Sequence, residues 1–293
     1  MRPGPECGLC IFKWVYERIA PHVQEEERLE LIEEVTNAVS RVVNPEANTG
    51  ALCNRALEAV AAGMEMARPF YENFKEQSNE RARGLLDAAK RFIDAGGTLR
   101  EQLERACVLA AASNVAPLSA PSGVFTFPEA QEIMEGTRQG RVFGDVLATL
   151  EGARHVLYVA DNAGETGFDS LVIAMVKAMG CRVTLVVKQD PFFEDARMSD
   201  VAFFGLDKVV DEVVTMRGFL VPAEATPAVA AAYADCDVII GKGTGAYEAL
   251  RGETGGKTAI FLLKVKCAPI ARETGTDMGT VVVRVEEGAG PGT

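Results

Sequence analysis

An α/β fold is what this sequence predicts: a three-layer α/β/α sandwich with a mainly parallel sheet, joined to an N-terminal helical bundle. Three observations predict it. Up to about Cys107, apolar residues recur at three- and four-residue spacing among charged ones, the mark of amphipathic helices. From His155 onward, short β-branched runs alternate with helical segments. Those runs are almost wholly apolar, as strands covered by helices on both faces must be.

In the helical half, apolar stripes appear in Leu29, Leu31, Ile32 and Val35, then in Leu57, Val60 and Met64. A third runs through Leu85, Leu86, Ala89, Phe92 and Ile93. Gly96 and Gly97 end one helix, and Thr98 caps the next, which reaches about Ala112. Trp14, the single tryptophan, anchors the first helix. Pro, Ser and Gly between Pro117 and Gly123 form a hinge. This sets an N-terminal helical domain at 1–122 and an α/β/α domain at 123–293. A further helical stretch covers Pro128 to about Leu150. Strands are expected at His155–Ala160, Val183–Val187, Lys208–Val210, Asp237–Ile240 and Thr258–Leu263. The run Thr280–Val285 adds an edge strand, and the Gly/Pro-rich tail from Glu286 to Thr293 is frayed.

Composition narrows the function. The chain of 293 residues carries 30 Lys+Arg against 42 Asp+Glu, a net charge of −12, which repels a nucleic-acid backbone. A small phosphorylated metabolite stays open as a partner, because a metal or a local lysine cluster reverses the sign of one pocket. No run of about 18 apolar residues exists to span a membrane. The first residues lack the apolar core of a secretion signal. Seven cysteines make a sparse and odd set, unlike a disulfide scaffold. A cytoplasmic protein fits this pattern. Nothing in it points to a particular number of subunits.

Ligands in open α/β sheets bind just beyond the carboxyl ends of the strands. Polar residues gather there. Asp161-Asn162-Ala163-Gly164-Glu165 follows the first strand, and Lys188-Gln189-Asp190-Pro191 with Glu194-Asp195 follows the second. Gly241-Lys242-Gly243-Thr244-Gly245 and Lys264-Val265-Lys266-Cys267 follow two later ones. Oxygen donors from Asp161, Asn162 and Asp195 suit a hard divalent cation such as Mg²⁺ or Mn²⁺. Lysines hold phosphate as point charges, and backbone N–H groups of Gly243, Thr244 and Gly245 at a helix start cradle its oxygens. Together these are the equipment of phosphoryl transfer. The plainer alternative is that Asp161 and Asn162 cap the helix beginning near Glu165.

Other signatures fail. Gly252 to Thr258 has three spacers where a Walker A loop has four, and it precedes a strand. Gly241-x-Gly243-x-x-Ala246 resembles a dinucleotide fingerprint, but the next strand ends in Lys264 where an acid is required. Ala163 stands where an aspartyl phosphatase of the haloacid type has its second Asp. With only His22 and His155 present, a histidine-based triad is unsupported. Cys7-Gly8-Leu9-Cys10 has metal or redox spacing without a second pair. Cys53, Cys107, Cys181 and Cys236 sit in apolar stretches and read as core.

In these residues the chain resembles the metal-dependent damage-control phosphatase family, in particular its branch with an N-terminal Cys-x-x-Cys. The matching pieces are Cys7 to Cys10, Asp161 to Glu165 with Asp169, Glu194-Asp195-Ala196, Lys242 to Glu248, and Leu263 to Cys267. The resemblance implies Asp161, Asn162 and Asp195 as metal ligands, with Mn²⁺, Co²⁺, Ni²⁺ or Mg²⁺ as the ion. It also implies that Lys266, with the loop Lys242, Gly243, Thr244, Gly245, Tyr247 and Glu248, meets the substrate phosphate. Glu165, Asp169, Lys264 and Asn114 complete the candidate substrate contacts, and Asp161, Asp195 and Lys266 are the candidate catalytic residues. Glu194, Ala246, Ser113 and Pro117 depart from the family's usual Asn, Asn, Gly and Asp. The implied activity is hydrolysis of phosphate esters of small metabolites, damaged ones among them, such as sugar phosphates. Two alternatives stand beside it: an S-adenosylmethionine-dependent methyltransferase, and a non-catalytic metabolite-binding protein whose helical half leaves an apolar face exposed for a partner.

Overall fold

Helices come first in the chain. The computed structural model describes residues 1–40 and 44–288. Within them α1 (Cys7–Ile19), α2 (Glu27–Ser40), α3 (Thr49–Ala59), α4 (Ala61–Asp94) and α5 (Leu99–Ala112) follow the apolar stripes. Asn48 caps α3 by accepting from Ala51 N at 3.2 Å, and Thr98 caps α5 by accepting from Glu101 N at 3.2 Å. Then come α6 (Pro128–Met134), β1 (Arg141–Phe143), α7 (Val146–Leu150), β2 (His155–Val159), α8 (Glu165–Ala178), β3 (Arg182–Lys188) and α9 (Met198–Phe203). The chain closes with β4 (Glu212–Met216), α10 (Pro227–Asp235), β5 (Val238–Lys242), α11 (Gly243–Leu250), β6 (Thr258–Lys264), α12 (Ala268–Thr274) and β7 (Val281–Glu286).

The seven strands lie in the order β1-β7-β6-β5-β2-β3-β4, all parallel except for the β6–β7 pair. From β2 the chain moves outward to β3 and β4, then returns to place β5 on the other side of β2. The connections leaving β2 and β5 therefore run in opposite directions. This is the switch point where a crevice opens above the strand ends in doubly wound sheets.

Alternation along β2 splits the core. Val156 and Tyr158 face the layer that holds α4, α5 and α8. Leu157 and Val159 face α10, α11 and α12. A third cluster packs the apolar sides of α1 to α4 against one another and against Phe192 and Phe193 from the loop after β3. The helical half thus buries most of its apolar face, while Leu9, Leu29, Met66, Phe70 and Leu99 remain open to solvent. No helix of the described residues is long and apolar enough to cross a membrane.

Four expectations differ from the structure. The stretch Pro128–Leu150 is not continuous helix, because Arg141–Phe143 is recruited as β1 by parallel pairing with Val282–Arg284. Lys208–Val210 is not a strand: Leu206–Lys208 forms a 3₁₀ turn and pairing starts at Glu212, opposite Thr184. The last strand is not an edge, since β1 covers it. Glu286 belongs to β7 rather than to a frayed tail, and residues 289–293 of that expected tail lie outside the described ones.

Candidate functional site

Two loops meet at the switch point. Asp161 and Asn162 leave the end of β2, while the chain after β3 turns back through Phe192 and Phe193. Phe193 adopts φ +48°, a left-handed conformation that costs a non-glycine residue about 1–2 kcal/mol. The turn brings the following residues alongside the first loop. Ala196 N donates to Asp161 O at 2.8 Å and Ala163 N to Glu194 O at 2.9 Å. Asn162 and Asp195 form an antiparallel bridge between these bonds, which fixes their side chains over one spot.

Arg18 of α1 locks this turn from the helical half. Its Nη2 lies 2.6 Å from Glu194 Oε1 and 2.8 Å from Pro117 O, and its Nη1 donates to Leu118 O at 3.2 Å. Both charged side chains are almost fully buried, at 1% and 4% exposure. Three distant stretches of chain are thereby joined at one guanidinium, whose fork geometry suits several oxygens at once.

Above the two loops is a cavity of about 190 Å³. Asp161, Asn162, Asp195, Thr244, Gly245, Glu248 and Lys266 all line it. α11 starts there without a side-chain cap, so its first N–H groups face the cavity unpaired by a capping oxygen. Gly243 takes φ +73°, and a Cβ on it would lie 1.8 Å from Asp161 Oδ2, so only glycine leaves room for the carboxylate. Burial and the Glu165 charge push the Asp161 carboxyl up to about 7, against the pull of Lys266 and Lys242. Burial likewise lifts Glu248 to about 7 and Asp195 well above the usual carboxylate range. Lys266 is lowered by burial, with Glu165 and Asp161 opposing, and it forms no ion pair among the described residues.

The other lysines are committed. Lys188 Nζ donates to Gly218 O at 2.6 Å, stands 3.4 Å from Asp195 Oδ2 and rests over the rings of Phe192 and Phe219. Lys242 is sealed in the core between Glu165 Oε2 at 3.1 Å and Asp169 Oδ1 at 3.2 Å, and it also donates to Ala110 O. Lys264 pairs with Glu129.

Several expected substrate contacts therefore stand elsewhere. Glu165, Asp169 and Lys242 do not line the cavity; they form a closed ion network beneath it, with Tyr158 OH donating to Asp169 at 2.8 Å. Tyr247 packs on Phe261 with its hydroxyl 3.4 Å from Glu286, and Lys264 points to Glu129. Asn114 is fully buried behind the acids, donating to Asp161 Oδ2 at 2.7 Å and to Glu165 Oε1 at 3.1 Å. It positions Asp161 and does not reach the cavity. Asn114→Leu keeps the volume and removes the donor, leaving buried carboxylate oxygens short of a partner. The expected cost is about 1–3 kcal/mol of unfolding free energy, read by urea denaturation; an unchanged midpoint would deny Asn114 that role. The helix-cap alternative for Asp161 and Asn162 also fails, since no side chain caps α8.

Sequence patterning missed Arg18, Glu194 as its partner, and the wall contributed by Trp14 and Phe219. Nothing along the chain signals an ion pair between residues 176 positions apart. Cys7, Cys10, Cys53 and Cys267 all border the same cavity, so Cys53 is a wall residue as well as a buried one.

The acid set fits a divalent cation in donor chemistry. Asp195 Oδ2 is buried without a hydrogen bond, with Lys188 Nζ 3.4 Å away. Burial raises both the Asp161 and the Asp195 carboxyl, helped by Glu165 at Asp161 and by Asp161 at Asp195, so further positive charge between them is favoured. Asn162 adds a neutral oxygen. Among the described residues no three His, Cys, Asp or Glu converge on one point. A cation here would keep several water ligands, as Mg²⁺ does.

Comparison with known proteins extends this geometry. A model of the damage-control phosphatase ARMT1-like domain matches residues 4–282. A damage-control phosphatase of Archaeoglobus fulgidus is 25% identical across 98% of this chain and 100% of its own. One of Pyrococcus horikoshii is 30% identical over 221 residues, 73% of each chain. The crystal structure of a DUF89 family protein from Pyrococcus horikoshii superposes with a TM-score of 0.78 at 24% identity, over 97% of this chain and 99% of that one. At that identity the likeness speaks to the fold alone.

Proposed function

The chain belongs to the damage-control phosphatase ARMT1-like domain family, and on that premise we propose that it hydrolyses phosphate monoesters of small metabolites, damaged ones among them, with a divalent cation held by Asp161, Asn162 and Asp195. One observation carries this reading: among the described residues Lys266 is the one lysine that lines the cavity, it has no ion pair there, and it shares that cavity with the three oxygen donors. Bound there, a cation such as Mn²⁺, Co²⁺, Ni²⁺ or Mg²⁺ supplies Lewis acidity toward a phosphoryl oxygen. Lys266 neutralises charge building on the phosphoryl group. The N–H groups of Thr244 and Gly245 take its remaining oxygens at the start of α11, where the helix dipole favours an anion. Glu248 carries a proton up to about pH 7 and serves the departing alkoxide as an acid.

Phosphate release from a panel of esters tests this. Chelator-treated protein is expected to retain under about one hundredth of the turnover seen with added Mn²⁺ or Co²⁺, with recovery on re-addition. Turnover indifferent to chelation would remove the cation from the proposal. No release from any ester with any of the four ions would remove the activity.

A further inference from the structure

The cavity lining carries two chemistries, charged and apolar. Beside the acids and Lys266, the side chains of Ile11, Trp14, Pro117, Leu118, Phe219 and Pro269 give the same cavity an apolar wall. Cys10, Cys53 and Cys267 fill the gaps between them, and burial raises all three thiols, Cys10 and Cys267 to about 11. They are neutral at pH 7 and behave as small apolar groups.

The few polar side chains on this wall are already engaged. Arg18 is held by Glu194 and by the carbonyls of Pro117 and Leu118. Thr49 Oγ1 donates to Met1 O at 3.0 Å. Glu6 pairs with Arg272 at 3.1 Å. A hydroxyl-rich leaving group entering here gives up its water and finds only the spare lone pairs of Thr49 and Glu6 in return. An apolar ring gains the full benefit of leaving water. The volume is consistent: a cavity of about 150 Å³ holds benzene, and this one has about 190 Å³ for a ring and a phosphoryl group.

We infer that the site selects phosphate monoesters whose leaving group is aromatic or otherwise apolar over those of polyols, with Trp14, Ile11, Leu118 and Phe219 as the specificity wall. This rests on the phosphatase reading for its catalytic residues, and on the wall alone for its preference. Sugar phosphates then lie at the disfavoured end of the substrate range.

The test uses leaving groups of equal intrinsic reactivity. Cyclohexylmethyl phosphate is glucose 6-phosphate without its ring oxygen and hydroxyls, and both release a primary alcohol; benzyl phosphate adds an aromatic ring. An apolar pocket rejects one added hydroxyl by roughly 100-fold. The expected kcat/KM for both apolar esters is at least about 100-fold above that for glucose 6-phosphate. Leu118→Asn is expected to narrow the gap at least about tenfold, through KM with kcat nearly unchanged. Equal kcat/KM values, or a preference for the sugar ester, would overturn the inference while leaving the phosphatase standing. A binding measurement separates the two readings. Trp14 is the only tryptophan, so its fluorescence reports occupancy of the wall without turnover. Non-hydrolysable cyclohexylmethyl and benzyl phosphonates should shift its emission with Kd values at least about tenfold below that of the matching glucose phosphonate. If no ester is hydrolysed, the phosphatase reading fails and this titration still decides the wall. Equal Kd values would overturn the preference.

Discussion

Asp161→Asn is expected to lower phosphate release by more than about 100-fold, since outer partners of metal ligands alone cost 10- to 100-fold. Asp161 sits where β2 ends, oriented by Asn114 at 2.7 Å and given room by the missing Cβ of Gly243. Its carboxylate is the member of the acid set that faces both Lys266 and the start of α11 across one cavity. The amide keeps the shape and the contact with Asn114 but removes the charge. The same change removes a buried charge: burial raises Asp161, Glu165 and Asp195 alike, with Glu165 adding to the rise at Asp161 and Asp161 adding to the rise at Asp195. The metal-free variant should therefore unfold at an equal or higher urea concentration than the wild type, a trade of stability for function. Asp195→Asn should behave alike. Phosphate release within twofold of wild type, for a variant that also binds Mn²⁺ normally by calorimetry, would refute the assignment.

Lys242→Met carries the largest expected effect on stability. The ammonium is fully enclosed between Glu165 and Asp169, and methionine fills the same space without charge. Removing one partner from a buried ion network costs about 3–5 kcal/mol. The pH dependence identifies the cause. Burial lifts Asp169 from 3.8 to about 6 even with Lys242 in place. A carboxyl raised on folding holds more protons in the native state than in the unfolded chain, so stability falls as pH rises from about 4 through the native value. Without Lys242 that native value rises further, and the loss should be greatest at pH 7 and smaller at pH 5. Adding Asp169→Asn to Lys242→Met should recover part of the loss at pH 7. Denaturant midpoints at the two pH values check both statements; a loss that is equal at pH 5 and pH 7 would mean packing rather than charge.

The contrast between these lysines shows how far the amino-acid order can be read. Lys242 and Lys266 both follow apolar strands in glycine- or valine-rich turns, and patterning treats them alike. Their separation depends on side-chain direction: Lys242 ends β5 pointing into the layer of α5 and α8, while Lys266 lies two residues past β6 and turns to the cavity. Strands β2, β3, β5 and β6 were legible because burial on both faces demands unbroken apolar runs. Strand β4 was displaced because an edge strand alternates, and Glu212-Val213-Val214-Thr215-Met216 is less apolar than its neighbours. Three-residue β1 was invisible, being made by its pairing with β7 rather than by its own propensity. Asp161, Asn162 and Asp195 could be picked out because strand ends are where ligands bind. Arg18 and Trp14 could not, since on α1 they look like any charged and aromatic residue of an amphipathic helix.

The anchoring of α1 at Arg18 has an evolutionary side. The charged lining of the cavity is written into the strand ends, whereas much of its apolar wall is drawn from α1, α3 and the 117–118 loop. Mutational drift in those stretches can retune which metabolites are accepted while the charged lining is inherited intact. A lineage built on this scaffold can therefore diversify its menu without reinventing its chemistry.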